Sequence, residues 1–273
     1  MTANSKYLYD LILKEEIWHA PEIEKISYPE NGNNDCFEIE DTSFWFKSRN
    51  RIIYEVVKKY TINGPIFDVG GGNGFVTSYL SKKGYESILV EPGLDGCLNA
   101  KKRGLKNIIH SVFDTAHFIL NTIPNIGIFD VMEHINDQKN FLEGLHKLLI
   151  PDGRLIITVP AYNELWSEED ESAGHYRRYR IRELHDLMNF YGFEVLYVSY
   201  FFSFLVFPIF IFRTIPSKFG FYKISSQKSK RQHLSKTKQN ILFDILMKFE
   251  INRVKKEKSI LFGSSIILAV RKR

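Results

Sequence analysis

The sequence FDVGGGNGF at residues 67–75 places four glycines between positions 70 and 74, directly after an apolar run. Glycine weakens strands and helices, so such a cluster indicates a turn that needs bare backbone. The preceding PIFDV (65–69) is typical of a short buried strand, and FVTSYLSKKG (75–84) is typical of a helix that ends at Gly84. The three elements together predict a loop that holds a ligand at the start of the helix.

Strands alternate with helices along the rest of the chain, which predicts a parallel sheet with helices on both faces. The predicted fold class is therefore α/β: a doubly wound, seven-stranded, mostly parallel sheet with strand seven antiparallel. The predicted strands are PIFDV (65–69), ESILVEP (86–92), KNIIHSVFD (106–114), NIGIFDV (125–131), RLIITVPA (154–161), FEVLYVSY (193–200) and SSIILAVRKR (264–273). Their near-continuous apolar character suits parallel strands that are buried on both faces.

This pattern divides the chain into three regions. Residues 1–40 form an N-terminal extension, residues 41–200 with 264–273 form the sheet domain, and residues 201–263 form a helical insertion between strands six and seven. Residues 201–273 carry 16 Lys/Arg against three Asp/Glu, whereas the other 200 residues have a net charge of −8. The asymmetry predicts that the carboxy-terminal quarter faces an anionic partner.

The cysteine pattern and the amino terminus bear on the compartment. Cys36 and Cys97 offer neither a disulfide framework nor the spacing of metal ligands, which is typical of a reducing compartment, and no metal is expected. The first residues, MTANSKYLYD, lack a basic stretch followed by an apolar core, so no signal peptide is expected. We expect a cytoplasmic protein, with peripheral attachment to the inner face of the membrane as a further expectation.

The register of the glycines separates two kinds of cofactor. The dinucleotide fingerprint G-x-G-x-x-G would need a third glycine where Phe75 stands. The chain reads instead Asp68-x-Gly70-x-Gly72-x-Gly74. A carboxylate two residues before the first glycine repels a pyrophosphate and attracts an ammonium or sulfonium group. A nicotinamide-dependent oxidoreductase is the alternative on this fold, and both features disfavour it.

Two later acids extend the candidate ligand site. Glu91 ends strand two, where its carboxylate can accept hydrogen bonds from both ribose hydroxyls. Asp114 ends strand three, where its carboxylate can accept a hydrogen bond from an adenine amino group. The alternative for Asp114 is a solvated loop acid. The alternative is that the glycines form only a turn and the acids only cap helices, and Glu91 at this interval argues against it.

These residues resemble the D-x-G-x-G-x-G motif and following acid of class I S-adenosylmethionine-dependent methyltransferases. Three further stretches are similar to one group of these enzymes: FWFKSRNRII (44–53), FDVMEHIND (129–137) and LWSEEDESAGHYRRY (165–179). The resemblance covers residues 40 to 205 and implies S-adenosyl-L-methionine as cofactor. Members often act in bacterial pathways for surface glycans or specialised metabolites, and the resemblance implies such a setting for this chain. One departure is Ile123-Pro124-Asn125, where the group usually has an Asp near the start of strand four.

The chemistry of methyl transfer suggests roles for the residues after strands four and five. In-line displacement from a sulfonium needs alignment and removal of a proton from the acceptor. Histidine titrates near neutrality, so either His134 or His175 could be the base, with His134 favoured and His175 as base or substrate anchor. Glu133 could orient the base or contact the methionine end. The alternative for His134 is a helix-start residue bonded to backbone.

The remaining candidates contact cofactor or substrate. The candidate cofactor-binding residues are Arg49, Asp68, Gly70, Gly72, Gly74, Glu91, Asp114 and Asp130. The fork of Arg49 suits the cofactor's carboxylate, although a surface arginine is the alternative. The candidate substrate residues are Trp166, Asp170, Arg178 and Tyr179, with Trp45 and Trp166 as lids over the pocket. GHYRRY could instead be a latch in which Arg177 and Arg178 pair with Glu168, Glu169 and Asp170.

The insertion combines apolar and basic segments. Residues 195–212 carry no charge, which reaches the lower bound for a membrane span, but strand six and Pro208 interrupt it. Residues 213–243 hold eight Lys/Arg and no acid, and residues 241–249 place Ile241, Leu242, Ile245, Leu246 and Phe249 on one helical face. The alternatives are a lid over the cleft or an element docked on an anionic membrane through 201–243. No nucleic-acid partner is expected.

The sequence thus predicts an S-adenosylmethionine-dependent methyltransferase acting on a small or lipid-linked acceptor, more at oxygen than at nitrogen or carbon. A non-catalytic module that binds the cofactor for regulation or scaffolding is the alternative. The MEH and GHYRRY segments argue against that alternative, because a binding module does not need them.

Overall fold

The computed structural model describes residues 6–21, 32–114, 116–220 and 241–273. Within these ranges one sheet runs in the order β1-β2-β5-β4-β3-β6-β7-β9-β8. The strands are β1 (Ile12–Lys14), β2 (Ile17–His19), β3 (Ile66–Val69), β4 (Ser87–Glu91), β5 (Ile108–His110), β6 (Ile123–Phe129), β7 (Leu149–Pro160), β8 (Phe193–Phe201) and β9 (Ser265–Lys272). The strands from β2 to β7 in this order are parallel, and β9 is antiparallel to β7 and β8.

The helices lie on both faces of this sheet. They are α1 (Gly32–Glu40), α2 (Phe44–Tyr60), α3 (Phe75–Lys82), α4 (Leu94–Lys102), α5 (Gln138–Leu148), α6 (Glu168–Ala173), α7 (Ile181–Phe190), α8 (Val206–Ile209), α9 (Ile215–Lys218) and α10 (Ile241–Lys255). One core cluster joins α5 and α7 to the sheet through Leu145 and Leu184. A second joins α2, α3 and α10 through Ile53, Leu80 and Met247. The packing is that of a doubly wound α/β fold.

The prediction of seven strands is wrong by two, since the described residues form nine. The extra pair is the hairpin β1–β2 from the N-terminal extension, and it joins the sheet where Trp18 faces Ile109. Glu15 and Glu16 form its turn with φ angles of 47° and 67°. Asn-Gly or Asp-Gly is the usual sequence at such a turn, so two glutamates gave no hairpin signal.

The departure at Ile123-Pro124-Asn125 lies at the start of β6, away from the site. The Asn125 side chain is buried, accepts a hydrogen bond from the Ile62 amide (2.9 Å) and donates one to the Ile62 carbonyl (3.0 Å). Asn125 therefore fastens the loop between α2 and β3. The next strand, β7, begins at Leu149 rather than at the predicted Arg154.

Between β8 and β9 the described chain forms several helical segments. Ser203–Leu205 is a 3₁₀ turn, α8 follows, Phe210–Thr214 is a π-helix, and α9 ends the run at Lys218. Residues 221–240, the centre of the predicted basic segment, lie outside the described residues. None of the described helices combines the length and apolarity that crossing a membrane requires.

Two residues of the predicted apolar face of 241–249, Ile245 and Phe249, face solvent rather than the core. Ile245 and Phe249 are 56% and 60% exposed, whereas Met247 and Glu250 are buried. The Glu250 carboxylate accepts hydrogen bonds from the amides of Phe202 (2.7 Å) and Ser203 (2.8 Å). Capping these two amides fixes the rotation of α10 about its axis, with Met247 and Glu250 inward and Ile245 and Phe249 outward.

Candidate active site

A cleft of about 1190 Å³ opens at the carboxyl ends of β3, β4, β6 and β7. In open α/β sheets, ligands bind at this edge, where the strand order reverses. One end of the cleft is polar and contains the glycine loop and Glu91. The other end is apolar, and its lining includes Phe44, Trp45, Leu205, Pro208, Ile209, Phe212 and Phe243. The cleft can therefore hold a polar cofactor beside an apolar acceptor.

The glycine loop forms the polar end with left-handed backbone. Gly70 and Gly72 have φ angles of 66° and 55°, and a Cβ on Gly70 would lie 2.9 Å from the Val131 side chain. The Glu91 carboxylate accepts hydrogen bonds from the amides of Gly72 and Gly93, each at 2.8 Å. The loop is thus tied directly to the acid that is predicted to hold the ribose.

Two acids at the polar end of the cleft are buried and have raised pKa values. Burial raises the pKa of Glu91 to about 7 and that of Asp68 to about 6. Thr77 donates a hydrogen bond to one oxygen of Asp68 (2.6 Å), and this bond offsets only part of the rise in the pKa of Asp68 that burial causes. Buried carboxylates at a helix start suit a cationic ligand, because a positive charge compensates the cost of ionising them. The residues therefore fit S-adenosylmethionine, which carries a sulfonium and an ammonium.

Arg49 lies in the cleft and is already paired. Its Nε contacts Asp130 Oδ2 at 2.5 Å, and its terminal nitrogen donates to the Phe129 carbonyl at 2.7 Å. The Arg49 side chain is 8% exposed, and its guanidinium lies 5.4 Å from the Trp45 ring centroid. Arg49 thus joins α2 to the end of β6, which brings both candidate cofactor residues, Arg49 and Asp130, to one position.

Glu133, His134 and His175 lie together on the cleft wall. The two imidazole rings meet edge to face with 4.7 Å between centroids. Burial, together with the neighbouring His175, lowers the pKa of His134 to about 4. Burial raises the pKa of Glu133 well above its usual value, and the negative charge of Asp130 adds to this. Each of the three presents one potential metal ligand, all within 4.8 Å of one another, so the group could also hold a divalent cation.

The GHYRRY segment forms a latch on the loop after β7. Asp170 accepts hydrogen bonds from His175 Nδ1 (2.9 Å), from Arg178 Nε (2.8 Å) and from the Ser167 amide (2.9 Å). Burial opposes ionisation of Asp170, but the bonds from His175 and Arg178 outweigh it and lower its pKa. Arg177 donates instead to the Gln138 side chain (2.7 Å). Asp170 is therefore an ionised carboxylate that orients the His175 ring.

The predicted site residues divide into two groups, all within the described ranges. Those that line the cleft are Arg49, Asp68, Gly70, Gly72, Glu91, Asp130, Glu133, His134, His175 and Arg178. Those outside its lining are Gly74, Asp114, Trp166, Asp170 and Tyr179. Of the two predicted lids, Trp45 lines the cleft and Trp166 does not.

Four of the residues outside the lining have local structural contacts instead. Gly74 has φ 68°, and a Cβ there would lie 2.4 Å from Leu105 Cδ1. Asp114 Oδ1 accepts the Ala116 amide at 2.9 Å, as a loop cap does. Trp166 Nε1 donates to Glu171, and the Tyr179 hydroxyl donates to the Met132 carbonyl at 3.1 Å. Packing and loop closure account for these positions.

Sequence reasoning missed the contribution of α1 to the cleft. Asn33, Cys36 and Glu40 line its polar end. Asn73 of the glycine loop donates to the Asn33 carbonyl (2.7 Å) and to Glu40 (3.2 Å). The helix sequence GNNDCFEIE has little apolar patterning, so only its asparagines, which suit side-chain hydrogen bonds, hinted at this role.

The fold and the polar end of the cleft define a class I methyltransferase. A family model described as a methyltransferase domain matches residues 44–198, more than half of the chain, and the chain belongs to that family. The family is one of methyltransferase domains, and the residues at the polar end of the cleft fit S-adenosyl-L-methionine as cofactor.

Known proteins give the same fold. The phosphoethanolamine N-methyltransferase 2 of Haemonchus contortus, solved with S-adenosyl-L-methionine, aligns with a TM-score of 0.54 and 18% sequence identity. The alignment covers 90% of this chain and 58% of that protein. A Thermotoga maritima S-adenosylmethionine-dependent methyltransferase aligns with a TM-score of 0.54, 17% identity, and 89% of this chain against 95% of that one. These likenesses concern the fold.

A curated relative is more similar in sequence over a shorter stretch. The mitochondrial ubiquinone biosynthesis O-methyltransferase of Dictyostelium discoideum is 28% identical over 137 residues. The match spans 40% of this chain and 41% of the relative.

Proposed function

We propose that the protein methylates an oxygen of a small or lipid-linked acceptor, with His175 as the base that receives the acceptor's proton. The observation that carries this is the Asp170–His175 hydrogen bond of 2.9 Å on the cleft wall. S-adenosylmethionine, when bound, supplies the electrophilic methyl group. The residues of this chain then have to align the acceptor and remove its proton.

His175 suits the role of base better than His134. The lowered pKa of His134, about 4, makes it a weak proton acceptor at neutral pH. Asp170 is ionised and accepts a hydrogen bond from the Nδ1–H of His175, which leaves Nε2 as the basic nitrogen. The same carboxylate stabilises the imidazolium that forms. This assignment reverses the preference for His134 that the sequence suggested.

Glu133 and His134 then act next to the base rather than as the base. Glu133 is 1% exposed and its pKa is raised, so its carboxyl group is suited to donate or share a proton. The backbone carbonyl of Glu133 accepts the Tyr176 amide at 2.8 Å, which joins the two predicted segments. We propose that this pair positions the acceptor oxygen against His175.

The acceptor class rests on the shape of the cleft. Its apolar end is lined by aromatic and aliphatic side chains, which suit an aromatic ring or a lipid chain. An alcohol or phenol needs its proton removed to become nucleophilic, and a histidine–carboxylate pair provides that step. The curated relative carries O-methyltransferase in its name, which agrees with oxygen as the methylated atom.

The test measures transfer of label from methyl-labelled S-adenosylmethionine into lipid and polar extracts of cells that lack the gene. We expect His175→Gln to lower turnover by about 10²–10⁴-fold, the usual contribution of a general base. His134→Gln should reduce turnover less. His185→Gln, at an exposed histidine on α7, is the matched control and should leave turnover unchanged.

Calorimetry with S-adenosylhomocysteine separates catalysis from folding and binding. Each variant should retain cofactor affinity. Equal loss of turnover in the control, or full turnover in His175→Gln, contradicts the assignment. If a chelator abolishes turnover and added Mg²⁺ or Mn²⁺ restores it, Glu133, His134 and His175 form a metal site and the base assignment is wrong.

A further inference from the structure

The helical run from Ser203 to Lys218 forms one wall of the cleft. The residues of this run that line the cleft are Leu205, Pro208, Ile209, Phe212 and Arg213. Their spacing of i, i+3, i+4, i+7 and i+8 places them along one side of the run. The first four are apolar and form part of the acceptor end, and Arg213 adds a cation where the apolar stripe stops.

The last residues of the run are bonded to the segment 165–169, which comes directly before Asp170. The three contacts are an ion pair from a terminal nitrogen of Arg213 to Glu169 (2.5 Å), a hydrogen bond donated by the Thr214 hydroxyl to the Leu165 carbonyl (3.1 Å) and one donated by the Glu168 amide to the Ser217 hydroxyl (2.9 Å). Glu168 is the first residue of α6, so its amide has no partner within the helix and needs one from outside. The run therefore fixes the start of α6.

The start of α6 in turn sets the position of the proposed base. Asp170 is the third residue of α6, and one of its carboxylate oxygens accepts the Ser167 amide at 2.9 Å, which closes the first turn. The other oxygen accepts a hydrogen bond from the Nδ1–H of His175 at 2.9 Å. The His175 amide also donates to the Asp170 carbonyl at 2.9 Å. The run, α6 and His175 thus form one continuous series of bonded groups.

We propose that Arg213 is a positioning residue for His175, because its ion pair with Glu169 holds α6 with the Asp170–His175 pair facing the acceptor. This inference rests on the proposed role of His175 as the base. Arg213 and Glu169 both line the cleft, so the wall that contacts the acceptor is the wall that orients the base. Arg213 lies in the π-helical segment Phe210–Thr214, a form of helix that is frequent at functional sites.

The effect of Arg213 falls on geometry rather than on stability. The Arg213 and Glu169 side chains are 30% and 25% exposed, and ion pairs in contact with solvent contribute little to the free energy of unfolding. A misplaced base, in contrast, lowers the rate strongly, since proton removal needs close alignment. Arg213→Met should therefore lower turnover while the Tm stays nearly the same.

The first measurement is NMR of the histidine rings in the full chain, in alkaline buffer where these rings are neutral. It reports which ring nitrogen carries the proton and does not depend on methyl transfer. His175→Gln assigns the His175 signal by its loss. We expect a single Nδ1–H form of His175 in the wild-type chain and in Arg213→Lys, which keeps the charge, and a mixture of both forms in Arg213→Met. An unchanged His175 signal in Arg213→Met overturns the proposal, and so does an equal change in Arg213→Lys.

The second measurement is transfer of label from methyl-labelled S-adenosylmethionine into extracts of cells that lack the gene. Arg213→Met should lower turnover roughly ten- to a hundredfold, with unchanged affinity for S-adenosylhomocysteine. In a His175→Gln background it should lower turnover no further, because the base through which it acts is absent. Arg182→Met, at an exposed arginine on α7, is the matched control and should leave turnover and the His175 signal unchanged.

The outcomes separate this inference from the proposed function. Equal loss of turnover from Arg213→Met in both backgrounds shows that it does not act through His175, which overturns the inference and leaves the base assignment intact. Full turnover in His175→Gln, or no transfer by the wild-type chain, refutes the proposed function. The NMR signal then decides by itself whether Arg213 orients the His175 ring.

Discussion

The pair formed by Asp170 and Arg178 gives a quantitative test of the latch. The Asp170 side chain is 1% exposed and the Arg178 side chain 11%, with Nε–Oδ1 and terminal N–Oδ2 distances of 2.8 and 2.9 Å. Two hydrogen bonds join these buried side chains, so removing one partner leaves the charge of the other uncompensated. Asp170→Asn and Arg178→Met should therefore each lower the free energy of unfolding by about 3 kcal/mol. The corresponding fall in Tm is roughly 6–12 °C.

The double variant shows whether the two residues act as a unit. Once one partner is gone, removing the second costs little, so Asp170→Asn with Arg178→Met should be about as stable as either single variant. The resulting coupling energy is about 2–3 kcal/mol in urea denaturation followed by circular dichroism. The pKa of Asp170 is lowered in the folded chain, so this contribution is present above about pH 4 and is lost as the pH falls through the folded pKa.

A second pair in the same loop serves as control. Arg180 and Glu164 also form an ion pair, but their side chains are 49% and 59% exposed. Glu164→Gln and Arg180→Met should be additive, since solvent screens such pairs. If Asp170 and Arg178 prove as additive as this control pair, Asp170 does not hold Arg178. The arginine would then be available to contact substrate, as the sequence suggested.

Three further expectations concern the cofactor end and the insertion. Burial raises the pKa of Asp68 to about 6 and that of Glu91 to about 7 in the chain without cofactor. The affinity for S-adenosylmethionine should therefore rise between pH 5 and 8, and binding should release protons from these two carboxyl groups. Calorimetry in two buffers measures both effects, and an affinity that does not change with pH would contradict this. Gly74→Ala should lower the free energy of unfolding by more than 1 kcal/mol, because φ is +68° and Leu105 blocks the Cβ; an unchanged urea midpoint would contradict this. Glu250→Gln should speed hydrogen exchange at residues 202–203, and unchanged protection would show that its carboxylate does not cap them.

The sheet was predictable because its strands are apolar and its turns are marked by glycine. β3 to β9 all fall where the sequence predicts strands. β1 and β2 have only three residues each; β1 pairs with β2, and β2 pairs with β5, which lies more than eighty residues away in sequence. The strand propensity of a three-residue segment does not indicate pairing with a strand so far away in sequence.

The site was predictable where residue chemistry is tied to a strand end and not where it depends on packing. Asp68, Glu91 and His175 reach the cleft because the ends of parallel strands meet at one edge. Gly74 and Tyr179 belong to the same motifs but do not line the cleft, because Gly74 packs against Leu105 and the Tyr179 hydroxyl donates to the Met132 carbonyl. The orientation of α10 depends on Glu250, whose partners are backbone amides of another segment, and a helical wheel does not include them.

The position of β9 has a consequence for how the chain is made. β9 lies between β7 and β8 and pairs with both, over Arg154↔Arg271 to Pro160↔Ser265 on one side and Phe193↔Lys272 to Phe201↔Ser265 on the other. During synthesis, β7 and β8 leave the ribosome more than sixty residues before the strand that joins them. Until then β8 has no neighbour in the sheet and β7 keeps an open edge, which is a template for mispairing. Nascent chains arrested before residue 265 should therefore be the ones that recruit chaperones.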